Sequence, residues 1–106
     1  MIRSVLYLTP KEGDGRAIAD FYSRHGVLER ALEQDGCLGS ELQLPVGGGG
    51  DVLVTALWRD THAYRGWLEN PARAAYADEL AELVDDFDQG VRGALYEIVV
   101  EAAPRR

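Results

Sequence analysis

The chain carries one cysteine, Cys37, so no intrachain disulfide can form, and no CxxC or Cys/His spacing suited to a metal is present. Basic residues are scarce. Eleven Lys and Arg stand against 18 Asp and Glu, for a formal net charge of −7. They are also scattered, the only adjacent pair being Arg105-Arg106. Phosphate backbones and anionic membranes select a concentrated positive face, so neither nucleic acid nor a membrane surface is an expected partner. No apolar run reaches the roughly 18 residues of a membrane span. The N-terminal run Ile2–Leu8 is too short for a signal segment and alternates like a strand. The expectation is a cytoplasmic protein.

What is present is ordinary globular composition, 46% hydrophobic and 27% charged over 106 residues. That length suits one domain, 1–106, with a core large enough to stand without staples. The pattern predicts a strand over Ile2–Thr9 ended by Pro10. A helix follows over Asp14–Gln34, with Asp14 as N-cap and Ile18, Phe21, Tyr22, His25, Leu28 and Leu32 as its apolar stripe. Gly26 inside it marks a kink, and Gly36 ends it. Strands over Cys37–Leu44 and Val52–Trp58 flank Gly47–Gly50 and read as a hairpin. A short helix, His62–Glu69, is capped by Asp60 or Thr61. Asn70-Pro71 starts another that runs to Phe87. A last strand spans Gly93–Glu101 and leaves Ala103–Arg106 as a tail.

The order β-α-β-β-α-β is the ferredoxin-like α+β arrangement, an antiparallel sheet with helices on one face. Its second face should then be polar, and it is not. Val52, Val54, Ala56 and Trp58 alternate with Leu53 and Leu57, and Leu95 and Val99 with Tyr96, Ile98 and Val100. Large apolar patches are rare on monomers, and the simplest cover is the same face of a second copy. A homodimer with sheets face to face is the expectation.

The stretch Val54-Thr55-Ala56-Leu57-Trp58-Arg59-Asp60-Thr61-His62-Ala63-Tyr64-Arg65-Gly66-Trp67-Leu68 resembles the antibiotic biosynthesis monooxygenase family. Its pattern is an apolar strand ending in Trp, a capped short helix, then an aromatic residue followed three positions later by Trp. Phe21-Tyr22-Ser23-Arg24-His25-Gly26 resembles the haem-degrading branch. The resemblance implies a dimeric α+β barrel with a pocket between sheet and helices, and in its quinone-forming members oxygenation of phenolic polyketides by O2 without a cofactor. Quinone-forming members tend to carry Asn where this chain has Ala63. Haem-degrading members carry a ligand His where it has Ala77, and an Asn on the first strand that is missing here.

Trp67 is the residue that the resemblance places in the pocket, against the plain alternative of a core tryptophan. His25 is the candidate catalytic base, because a neutral imidazole can take a phenolic proton. Otherwise it is a rim histidine bonded to the backbone. Tyr22 and Tyr76 are candidates to bind substrate oxygens, with core packing as the alternative. His62 reaches the pocket mouth or is simply exposed, and Arg73 approaches an acidic substrate or is an ordinary exposed arginine. The Asp85-Asp86-Phe87-Asp88 cluster reads as a solvated face and Cys37 as a small buried apolar group. No metal and no cofactor is expected. The leading reading is a cofactor-independent monooxygenase acting on an aromatic polyketide or quinol. Its rivals are a polyketide cyclase or isomerase, a non-catalytic dimer that binds a small molecule, and haem binding through another ligand.

Overall fold

The computed structural model describes residues 1–87 and 92–104. Asp88 of the acidic cluster and the Arg105-Arg106 pair lie outside them. Four strands form one antiparallel sheet: β1 (Ile2–Leu8), β2 (Cys37–Gln43), β3 (Val52–Trp58) and β4 (Arg92–Glu97), in the order β2-β3-β1-β4. The helices are α1 (Gly15–His25), α2 (Val27–Leu32), α3 (Thr61–Leu68), α4 (Pro71–Ala74) and α5 (Ala77–Ala81). This is the ferredoxin-like α+β architecture.

The long helix expected over Asp14–Gln34 is two helices. Gly26 takes a left-handed conformation (φ 61°) that only a residue without Cβ enters cheaply, and it breaks the run between α1 and α2. The break re-phases the apolar stripe. Val27 and Ala31 turn inward after it, and Leu32, expected on the stripe, is 47% exposed. The helix expected from Asn70 to Phe87 is likewise broken into α4 and α5 and ends at Ala81. Beyond α5 the chain returns to the end of β1, where Val84 bridges Pro10 and Asp85 N–H donates to Thr9 O at 2.8 Å.

β4 stops at Glu97, four residues short of the expected end. Glu97 pairs with Ile2, the first residue of β1, and the ladder has no partner left to extend along. Ile98 N–H still reaches Met1 O at 3.0 Å, after which Val99 and Val100 are exposed.

Alternation assigns the faces. Ile2, Leu6, Leu8, Val52, Val54 and Trp58 face the helices and meet Ile18, Phe21, Tyr22, Val27, Leu80 and Trp67 in two apolar clusters. The opposite face carries Val5, Tyr7, Leu53, Leu57 and Tyr96, half-buried or exposed in the single chain. The expectation that both faces are apolar holds for β3; covering the second one takes something other than this chain's own helices.

Candidate functional site

The register of the sheet leaves a hollow in its helix-facing side. Ser4 on β1 and Ser40 on β2 both pair with Ala56 on β3, so Ser4, Ala56 and Ser40 form one row across three strands. The next row toward Leu8 is Leu6, Val54 and Leu42, and the row on the other side is Ile2, Trp58 and Cys37. Small side chains between two bulky rows leave the sheet floor low, and the helices above cannot follow it down. The result is a cavity of about 290 Å³.

Aromatic rings form much of the wall: Phe21 and Tyr22 from α1, Trp58 from β3, Tyr64 and Trp67 from α3, and Tyr76 between α4 and α5. Each is fixed by its neighbours. Phe21 meets Tyr76 edge to face, with centroids 6.3 Å apart at 90°, and Tyr64 sits against Trp58 at 5.6 Å and 64°. Trp58 Nε1 donates to Ser4 Oγ at 2.9 Å, a buried bond between the cavity floor and its wall. That bond occupies an acceptor lone pair of Ser4, which leaves the hydroxyl hydrogen free for another acceptor. Asp60 caps α3 by accepting from Ala63 N–H at 2.9 Å, which fixes the helix that carries Trp67.

Trp67 and Tyr22 are buried at 8% and 6% exposure, and both line the cavity, as does Tyr76. With Arg73, which also lines the cavity, four of the six candidate residues are therefore brought together. His25 is not among them. It lies at the end of α1 behind the aromatic wall, its ring 4.5 Å from that of Phe21 and 5.9 Å from that of Tyr76. Its Nε2 is 3.2 Å from Glu79 Oε2, close but off hydrogen-bond alignment, and its carbonyl accepts from Tyr76 Oη at 3.5 Å. The stripe that suggested a pocket base continues past Phe21 onto the surface of α5. His62 is also outside: it occupies the first turn of α3 on the face away from Ala63 and Trp67, exposed to solvent. Ser4, Ser40 and Tyr64 were missed. The signal for Ser4 was a polar residue in phase with Ile2, Leu6 and Leu8, on the face expected to be wholly apolar.

Burial pushes the Tyr22 hydroxyl up to about 12, a rise that the nearby Arg73 charge partly opposes. At neutral pH it is a hydrogen-bond donor. The consequence for stability has a definite sign. Between the usual 10 and about 12 the native state holds a proton that the unfolded chain has lost, so stability is complete below this window and falls as pH rises through it. Tyr22→Phe is expected to flatten that fall, as read by urea unfolding at two pH values spanning the window; an unchanged slope would show that Tyr22 titrates normally.

Among the described residues, no group of three or more His, Cys, Asp or Glu is placed to hold a metal, and no helix is long and apolar enough to cross a membrane. The described cavity lining contains no imidazole, thiol or thioether to ligate a haem iron, and Ala77 contributes only a methyl group there; the phenols of Tyr22, Tyr64 and Tyr76 are the haem-ligating group types it does contain.

A family model described as antibiotic biosynthesis monooxygenase matches residues 1–79. No curated protein sequence matches. Among solved structures, Rv0793 from Mycobacterium tuberculosis is similar over 96% of this chain and 98% of its own, with TM-score 0.75 and 17% identity. The haem degrader MhuD from the same organism is similar over 97% and 100%, with TM-score 0.75 and 22% identity. An oxygenase variant, SnoaB from Streptomyces nogalater, described as cofactor-independent, is similar over 98% and 97%, with TM-score 0.72 and 18% identity. At these identities the likeness is one of fold.

Proposed function

This chain belongs to the antibiotic biosynthesis monooxygenase family, and we propose that it is a cofactor-independent monooxygenase that oxidises an aromatic polyketide or quinol with O2. The observation that supports this most is the cavity, apolar in most of its wall, ringed by aromatic side chains and supplied with hydroxyl groups. Its 290 Å³ sits at the lower edge of the range usual for small-molecule sites, about 300–1,000 Å³. A planar molecule of two or three fused rings suits that space.

The chemistry then rests largely on the substrate. An ionised phenol or anthrone passes one electron to O2, the radical pair joins as a peroxide, and loss of water leaves the quinone. One CH2 and one O2 become one C=O and one H2O. The protein holds the ring system, excludes water and donates a hydrogen bond from Tyr22 to the substrate oxygen that carries charge. Mixing the protein with anthrone-type substrates in air is expected to give quinone absorbance above the buffer rate, with one O2 consumed per quinone. No rate above buffer across several such substrates would overturn the reading. Turnover that persists without O2 would favour cyclisation or isomerisation in the same cavity, and binding without turnover a non-catalytic receptor.

We also infer that the working unit is a homodimer joined through the second sheet face. Val5, Leu53 and Leu57 lie there beside Tyr7, whose ring is covered by Arg92 at 5.3 Å, and Tyr96, which is 53% exposed. Sedimentation velocity at micromolar concentration is expected to report a dimer, and a monomer would refute this.

A further inference from the structure

We infer that the cavity takes its aromatic ligand as an anion and that Arg73 carries the ligand's negative charge; this rests on the reading of the cavity as an aromatic-binding site. Arg73 is the one charged side chain among the described residues that line the cavity. The chain as a whole is strongly acidic, and Arg30, Arg59 and Arg92 each lie within 4.0 Å of a carboxylate. Arg73 has no such partner among the described residues, a condition it shares with Arg3, Lys11, Arg16, Arg24 and Arg65, and it is distinguished from them by lining the cavity.

Its placement is built by the fold. α4 is a single turn, opened by Pro71 and capped by Asn70, whose Oδ1 accepts from Ala72 N–H at 2.9 Å. The same Asn70 donates from Nδ2 to Gln34 Oε1 at 3.3 Å, which ties α4 to the chain after α2. The side chain, which is exposed, is thus carried on a clamped turn at the cavity that Tyr22 lines from α1. Two donors share that cavity, one cationic and one neutral. No carboxylate or imidazole is present on the described wall to act as a charged acceptor or to remove a proton. An anionic ligand uses both donors, a neutral one gains much less from Arg73, and a cation is repelled. The missing wall base leads to the same conclusion: a substrate that reacts as an anion must arrive ionised. The class is a fused-ring aromatic bearing a carboxylate, or a phenol made acidic by a neighbouring carbonyl.

Trp58 and Trp67 both line the cavity, so quenching of tryptophan fluorescence reports occupancy. The probes are 2-naphthoate, its neutral isostere 2-naphthamide, and a hydroxynaphthoquinone ionised at neutral pH. The naphthoate is expected to bind about tenfold more tightly than the amide, the size of one charge-assisted hydrogen bond. R73Q is expected to remove that preference and R73K to keep part of it. R65Q, which deletes an exposed charge on α3 outside the lining, is expected to leave it intact. Added salt should weaken the naphthoate alone. Tighter binding of the hydroxynaphthoquinone than of the naphthoate assigns the charge to a ring oxygen, and the reverse to a carboxylate; either supports the inference. Equal affinity for naphthoate and amide, or a preference that survives R73Q, overturns it while the aromatic site stands. No quenching by any probe overturns the aromatic site and the inference together.

Discussion

Trp58→Ala is expected to lower the unfolding free energy by about 3–5 kcal/mol, the usual result of emptying a fully buried aromatic site. Trp58 is 1% exposed at the end of β3 and packs with Ala31, Ala63 and Trp67. A domain of this size has about 5–15 kcal/mol to lose, so the variant should sit near the edge of folding at 37 °C. Trp58→Phe separates two contributions. It keeps most of the apolar volume and removes the indole N–H that Ser4 accepts. Its cost should be nearer 1–2 kcal/mol, the value of a buried hydrogen bond with some lost packing. Urea unfolding of both variants measures the difference. A loss below about 1 kcal/mol for Trp58→Ala would mean that the helices collapse onto the gap and that the cluster around Trp58 is not rigidly packed.

Ala56→Leu is expected to abolish ligand binding while the protein stays folded. Ala56 is the centre of the small-residue row, flanked by Ser4 and Ser40. Three added carbons at that point rise into the 290 Å³ hollow rather than into packed side chains. Overlap with a ligand by a few kcal/mol weakens affinity by about 100-fold or more, at tenfold for each 1.4 kcal/mol. Stability should fall by no more than about 1–3 kcal/mol, the usual cost of a small-to-large core change, because part of the new group enters space that is already empty. The naphthalene probes read the affinity and urea unfolding reads the stability. Binding that persists would place the ligand elsewhere on the molecule.

The fold was legible because its signals are local. Alternation in Ile2–Leu8 and Val52–Trp58 and the Asp14 and Asn70-Pro71 starts each act over a few residues, whereas Gly36 is not the helix stop: α2 ends at Leu32 with Glu33 as its cap. Element lengths were less legible. Where α1 ends depends on the backbone angle of Gly26, and where β4 ends depends on the length of β1, far away in sequence. The site divided along the same line. Tyr22 and Tyr76 could be found from helical phase, and Trp67 from the resemblance of its stretch to the family pattern. His25 shares that phase, yet its helix outruns the sheet and carries it past the cavity to Glu79. Ser4 and Ser40 meet through the register of three strands, and no spacing within the chain announces that.

Gly36 stands in a left-handed turn at φ 89°, and a Cβ there would lie 2.5 Å from the Cβ of Ala63. Ala63 is itself 3% exposed and does not line the cavity. Ala63 therefore holds position 36 to glycine, and a side chain placed there would have to displace α3.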